Sequence, residues 1–222
     1  MTGALPITLA GEAVVLLPER ALWWPRERAL FVADVHLGKA ASFRALGQPV
    51  PAGTTRDNLD RLSGLVNALD ARSLVVLGDF LHAATAQQAQ VIDPVRAWRQ
   101  RHAALRCLLV RGNHDSHAGD PPAALRFDIV DEPFRVGPFA ACHHPQQVAG
   151  AMVLAGHLHP AVQLRGRGLD RLRLACFCEG ENWLILPAFG AFTGSTLELP
   201  AQTLRCYAVG GGVVMALPPK GR

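Results

Sequence analysis

Five short apolar runs, each broken off by a polar or glycine-containing cluster, constrain this chain more than any other feature. Residues 29–33 (ALFVA) run into Asp34, Val35 and His36, and residues 73–77 (SLVVL) into Gly78 and Asp79. Residues 106–110 (RCLLV) end at Arg111, Gly112, Asn113, His114 and Asp115. Residues 139–142 (FAAC) end at His143 and His144, and residues 151–155 (AMVLA) at Gly156, His157, Leu158 and His159. Aliphatic runs of this length with sharp glycine punctuation read as buried strands rather than helices. Between the first two, residues 54–70 bring Leu59, Leu62, Leu65, Val66 and Leu69 to helical spacing, with Thr54 or Thr55 as N-cap. Between the next two, residues 86–102 put Val91, Val95 and Trp98 on one face, and Pro94 marks a kink or a split. The first half therefore predicts β-α-β-α-β, a sheet with crossover helices.

From Phe127 onward, short strand-like segments follow at close intervals, around residues 134–136, 139–142, 151–155, 162–164, 172–178, 183–186, 204–209 and 213–216. Consecutive short strands pair as antiparallel neighbours, so the later sheet should be largely antiparallel or mixed. No linker divides the chain. The expectation is a single α/β domain over residues 1–222, with two mixed sheets stacked face to face and helices outside.

Half of the 222 residues are hydrophobic and 18% are charged, which excludes intrinsic disorder and supplies a sizeable core. The net charge of +4 permits an anionic partner without requiring one. Five cysteines (107, 142, 176, 178 and 206) contain no CxxC pair and read as buried thiols of a reducing cytoplasm. Residues 1–17 lack a basic leader and meet Glu12 early, so no secretory signal is expected. Residues 136–164 carry no Asp, Glu, Lys or Arg, but their histidines, prolines and glutamines exclude a membrane span.

The chemistry sits where each strand ends. In sheets with crossover connections, ligands bind beyond the carboxyl ends of the strands. Asp34 and His36 are two apart, as are His157 and His159, so in extended segments each pair points one way. Taken singly, Gly-Asp also suits a turn, Gly-Asn-His-Asp a helix cap, and the paired histidines an ordinary loop. Taken in series, the set pools two Asp, one Asn and several His. Imidazoles, carboxylates and an amide oxygen suit borderline divalent ions such as Mn, Fe, Zn or Co. The donors are too many for one catalytic ion and enough for two that share a carboxylate. Two ions about 3.5–4 Å apart can clamp a phosphate, acidify a water and stabilise a leaving oxygen, which is the chemistry of phosphoester hydrolysis.

The ordered series from Asp34 to His159 resembles the calcineurin-like metallophosphoesterase superfamily. The resemblance implies a four-layer α-β-β-α sandwich with two mixed sheets and a di-metal site. It implies Asp34, His36 and His159 as ligands of one ion, Asp79 as the bridge, and Asn113, His143 and His157 as ligands of the other. His143 is preferred to His144 because it directly follows the strand. His114 corresponds to a non-ligand histidine that contacts the phosphate and protonates the leaving group. A narrower resemblance, over residues 31–194, is to the ligase-associated DNA damage response endonucleases. It rests on residues 36–44 (HLGKAASFR), 47–55 (GQPVPAGTT), 78–82 (GDFLH) and 186–194 (LPAFGAFTG). This implies a manganese-dependent phosphodiesterase acting on DNA, associated in function with a DNA ligase and other repair proteins. Fe, Zn, Co or Mg stay open as the metal, and a homodimer stays open as the assembly. A phosphomonoesterase, a small-nucleotide phosphodiesterase and an inactive metal-binding scaffold share the same motifs.

Lys39, Arg44 and Arg111 flank the metal motifs and are the expected substrate-binding cations. Arg165, Arg167, Arg171 and Arg173 follow the last motif and suit either the same cleft or a solvated face. Trp23 and Trp24 read as packing or rim residues, and Phe43, Phe189 and Phe192 as core.

Overall fold

The computed structural model describes residues 2–50, 53–166 and 170–218. The chain begins with β1 (Leu5–Leu9), β2 (Glu12–Leu17), β3 (Ala21–Trp24) and β4 (Ala29–Val32). Then come α1 (Lys39–Ala45), α2 (Thr54–Leu69), β5 (Ser73–Leu77), α3 (Ala89–Arg101), β6 (Arg106–Val110), α4 (Asn113–Ala118) and β7 (Phe127–Val130). The second half holds β8 (Phe134–Val136), β9 (Phe139–Ala141), β10 (Met152–Ala155), β11 (Ala161–Arg165), β12 (Arg171–Glu179), β13 (Trp183–Ile185), β14 (Arg205–Gly210) and β15 (Val213–Ala216). Among the described residues these make two sheets. The first runs β1 to β7 in sequence order; the second runs β15-β14-β12-β13-β10-β9-β8, with β11 also on β12.

Both sheets are mixed, as expected. β4, β5, β6 and β7 are parallel while β1 to β4 form an antiparallel meander. In the second sheet β10 is parallel to β9 and to β13, and the other pairings are antiparallel. The β4-α2-β5-α3-β6 crossover follows the expected pattern. α2 begins at Thr54, so its N-cap is Gly53 rather than a threonine. Pro94 neither splits nor ends α3; it removes one hydrogen bond from the helix, and the apolar face carrying Val91, Val95 and Trp98 stays buried. The first three strands are an addition to the sequence reading.

Alternation along the strands sorts the core into layers. Leu59, Leu62, Leu65 and Val66 of α2 and Val91, Val95 and Trp98 of α3 pack on Leu30, Val32, Leu74 and Val76, one face of the first sheet. Each fully buried leucine there contributes roughly 1.5–3 kcal/mol. The opposite face, with Phe31, Val75, Leu77 and Val110, meets Phe139, Leu154, Phe177 and Leu186 of the second sheet. Trp24 stacks edge-on against Phe139 with ring centroids 4.9 Å apart, so it is a packing residue. The outer face of the second sheet is covered differently from that of the first. Its residues Ala140, Cys142, Val153, Cys176 and Cys178 are covered by Val148, Ala151, Leu158 and Leu199, which stand outside the helices. Among the described residues no helix follows Leu125, and loop side chains do the covering.

No described helix is long and apolar enough to cross a membrane. Among the described residues the five cysteines form no disulfide, and all but Cys206 are buried.

Candidate metal centre

The parallel strands deliver their carboxyl ends to one edge of the sandwich. Asp34 and His36 follow β4, Asp79 follows β5, and Asn113 and His114 open α4 directly after β6. From the facing sheet, His143 follows β9, and His157 and His159 follow β10. The loops beyond β4 and β5 are zipped together: His36 N donates to Asp79 O (2.8 Å) and Leu37 N to Phe80 O (2.9 Å). The two sheets meet at the same edge, where Phe189 N donates to Ala33 O (2.8 Å).

The seven expected donors converge. His36 Nε2 lies 3.3 Å from His159 Nε2 and 3.7 Å from Asp79 Oδ2. His159 Nε2 lies 3.4 Å from Asp34 Oδ1. On the other side, His143 Nε2 lies 2.9 Å from Asn113 Oδ1, 3.1 Å from His157 Nδ1 and 3.5 Å from Asp79 Oδ1. Asp79 thus presents one oxygen to each group of rings.

The backbone reaches this arrangement in an unexpected way. Asp34, His36, Asp79, His157 and His159 all have positive φ, between 48° and 69°. They are left-handed rather than extended, so the expected geometry of Asp34-Val35-His36 and His157-Leu158-His159 is corrected. Each such non-glycine residue costs about 1 kcal/mol or more, and strain of this kind persists where the surroundings over-determine it. Gly78 serves the same end, because a Cβ there, at φ +77°, would fall 2.0 Å from His143 Nδ1. Gly112 lets β6 turn past Asp79, since its Cβ would fall 2.3 Å from Asp79 Oδ1.

A second set of contacts fixes ring orientation. His143 Nδ1 donates to Leu77 O (3.2 Å) and His159 Nδ1 to Gly194 O (3.1 Å), which leaves each Nε2 with a lone pair aimed at the other donors. Asp34 Oδ2 accepts from His157 N (2.9 Å), while Asp34 Oδ1 is buried with no hydrogen-bond partner. Asp79 Oδ1 accepts from His114 N (2.9 Å). Burial pushes the Asp79 carboxyl up, partly offset by His143. Burial also lowers His36, helped by the charge of Lys39, and lowers His157, helped by His143. The lowered rings are neutral near pH 7, the state in which imidazole can ligate. A carboxylate oxygen that is buried and unpartnered, facing lone pairs at 3–4 Å, costs free energy that a cation would recover. The residues present therefore fit a pair of divalent ions.

His114 stands apart from the seven. Its Nδ1 donates to His82 O (2.8 Å), its Nε2 is 4.0 Å from Asp79 Oδ2, and the side chain is 39% exposed. His144 turns to Glu132, with Nδ1 at 2.7 Å from Oε1, although it also neighbours His143 and His157. Lys39 is half-buried within the fields of Asp79 and Asp34. Arg44 is exposed and lines a groove of about 460 Å³ with Thr54, Thr55, Arg56 and Gln90. Arg111 is committed elsewhere: it is bidentate to Asp120 (2.9 and 3.0 Å) and also bonded to Asp131. Its charge is offset twice, which opposes its use as a phosphate-binding cation.

Three residues gain importance that the sequence did not assign them. His82 stacks on His114 (centroids 4.7 Å apart) and brings Nδ1 to 3.4 Å from His36 Nδ1; the proximity of GDFLH to the motifs was its only signal. Asp115, fully buried, accepts from Leu81 N (3.0 Å) and Gly112 N (3.1 Å), tying the loops after β5 and β6 together. Asn58, buried on α2, accepts from Ala191 N (3.0 Å) and donates to Val35 O (3.3 Å). Phe43 and Phe192 are a half-buried edge-to-face pair (5.6 Å) beside His82 rather than core, whereas Phe189 is fully buried. Arg167 lies outside the described residues.

The family profile described as calcineurin-like phosphoesterase matches residues 27–180. Among solved structures, the nuclease MPE of Pseudomonas putida is 46% identical, with a TM-score of 0.85, covering 96% of this chain and 100% of that one. YfcE, a phosphoesterase from E. coli, is 16% identical with a TM-score of 0.42, covering 82% of this chain and 88% of that one. No curated protein matches.

Proposed function

The chain belongs to the calcineurin-like phosphoesterase family, and from that premise we propose that it is a two-metal phosphodiesterase that cuts DNA. The observation that carries the reading is the meeting of seven donors around Asp79, with Asp34 Oδ1 buried and unpartnered among them. Asp34, His36 and His159 would hold one ion and Asn113, His143 and His157 the other, with Asp79 as their shared ligand. Manganese suits this mixed nitrogen and oxygen set, and the name nuclease borne by the 46% identical neighbour supports nucleic acid as the polymer. Bound ions supply Lewis acidity and activate water for attack on phosphorus.

The chain's own groups do the rest. His114 is anchored by Nδ1–H on His82 O, which aims Nε2 at the centre; the ring acts as the acid in its imidazolium form, where Nε2 also bears a proton. As the bond between phosphorus and the leaving oxygen breaks, the electron pair stays on that oxygen and the Nε2 proton neutralises it. Lys39 places a half-buried cation beside the carboxylates, where it holds a non-bridging phosphate oxygen. Arg44, on the exposed rim of α1, meets the strand farther out. The role in repair beside a DNA ligase rests on the resemblance over residues 31–194, and the cytoplasmic location on cysteines that form no disulfide among the described residues. All seven donors come from one chain, so a homodimer is compatible with the site without being needed to build it.

Side-by-side assay of a chromogenic phosphomonoester, a chromogenic diester and circular single-stranded DNA, with titrations of Mn, Mg and Zn, tests the proposal. Opening of the circle in Mn is expected. Turnover of the monoester alone assigns a phosphomonoesterase, turnover of the diester without DNA a small-nucleotide enzyme, and no turnover with less than about one ion per chain a scaffold.

A further inference from the structure

We propose that a recess beside His159, walled by Arg20 and Arg173, binds a second phosphate of the substrate strand, next to the phosphodiester under attack. The inference rests on the nuclease reading above and adds to it a site for the polymer.

The recess has a volume of about 200 Å³ and is lined by Arg20, His159, Arg173, Ala188, Thr193 and Ser195, among others. Its wall includes His159, whose ring reaches the metal donors, so it adjoins the centre. The two arginines come from opposite sheets. Arg20 sits in the turn between β2 and β3 with φ 65°, and Arg173 is an exposed residue of β12. Bringing two cations from so far apart in the chain against one small space is costly unless an anion shares it.

Among the described residues no carboxylate forms an ion pair with Arg20 or Arg173, in contrast to Arg111 with Asp120 and Asp131. The adjacent Glu19 raises Arg61 through its charge, and Arg61 is bonded to Phe189 O and stacks on the Phe189 ring at 4.0 Å. Arg20 reaches Ala188 O at a long 3.4 Å, and Arg173 is bonded to Ser195 O. Carbonyl contacts hold the guanidinium forks in place without cancelling their charge. Burial also lowers Arg20, a bias that an anion alongside would reverse.

Size and chemistry select the occupant. At about 30 Å³ per water, the recess has room for some six or seven waters, a phosphate and part of its sugar. The planar, multi-donor arginine head matches phosphate oxygens in the bidentate manner that positions a backbone without reading its sequence. His159 joins the two sites: its Nδ1 is held by Gly194 O, in the same 188–195 segment whose carbonyls hold the arginines. A phosphate in the recess therefore fixes the strand relative to the ions.

The test compares wild type with Arg173→Ala, Arg173→Lys and Arg20→Gln in Mn, on circular single-stranded DNA and on a chromogenic diester that has one phosphate. Removing a charge-assisted pair should raise KM for DNA roughly tenfold, with kcat within about threefold. The loss on DNA should exceed the loss on the small diester by at least about fivefold, and lysine should restore part of it. The salt dependence of DNA affinity should become shallower by about 0.7 in log–log slope for one lost contact. Arg173 is exposed, so its alanine variant should melt like wild type, which keeps the comparison clean if Arg20→Gln folds poorly. Equal losses on both substrates, or undiminished DNA affinity in Arg173→Ala, overturn the recess while leaving the nuclease reading intact. A wild type that hydrolyses the diester but never the circle overturns the nuclease reading and the recess with it.

Discussion

Replacing Gly112 by alanine isolates the demand the centre makes on the backbone behind it. Gly112 has φ −97° and ψ 176°, which any residue adopts, so the substitution carries no penalty of handedness. Its cost is contact alone. The new Cβ would fall 2.3 Å from Asp79 Oδ1 and 2.5 Å from Asp79 N, where ordinary contact begins at 3.4 Å. The carboxylate must retreat by about 1 Å, yet it is tethered by His114 N at 2.9 Å and its backbone carbonyl by His36 N at 2.8 Å. Overpacking of this kind costs about 1–3 kcal/mol, which a domain with some 5–15 kcal/mol of stability survives. The catalytic cost is larger, because a misplacement of about 1 Å can lower turnover around a hundredfold, or about 2.7 kcal/mol of barrier. Hydrolysis of the chromogenic diester in saturating Mn, with metal content measured on the same sample, reads this out. A kcat/KM within threefold of wild type at full metal content would refute the claim that Asp79 is held in one place by close packing.

Gly64→Ala is the matching control: nothing lies within 4 Å of its Cβ, so a gain of about 0.5–1 kcal/mol and a melting point higher by about 1–4 °C are expected by calorimetry. If Asp79 is the shared ligand, Asp79→Ala should abolish diester hydrolysis and lower metal content; near-normal turnover would defeat the assignment. His114→Ala should reduce kcat on DNA by about 10²–10⁴ while metal content stays full, and loss of an ion instead would make His114 a ligand. Arg111→Ala should change DNA cleavage by less than about threefold and stability by under about 1 kcal/mol in chemical denaturation, because its ion pairs lie at the surface. A tenfold loss on DNA would return Arg111 to the substrate.

The sequence made the repeating units of this fold visible and hid how they are joined. β4, β5, β6 and the face of α2 were readable because uninterrupted aliphatic runs and helical spacing are local signals. β1 and β2 are hard to read because the half-exposed pattern of one and the mixed pattern of the other resemble neither a buried strand nor a helix, and β3 is only four residues long. The positions of the donors were readable because each follows its strand directly. Their conformation was not, since left-handed φ at Asp34 or His159 is imposed by neighbours distant in the chain. Arg111 shows the same limit from the other side. A cation beside a metal motif looks available until folding brings Asp120 and Asp131 against it. Asp115 combines both: residues 112–115 do cap a helix, and the same segment supplies Asn113 and His114 to the centre.

The donors stand on both banks of the inter-sheet core, four rooted in the first sheet and three in the second. Ions bound there rivet one sheet to the other, so a loaded centre and a sandwich sheared along its interface exclude each other. By mass action, free ion concentration then becomes a variable of the whole molecule's cohesion. A loosening at the Trp24–Phe139 contact, remote from any ligand, would register at the centre as lost occupancy.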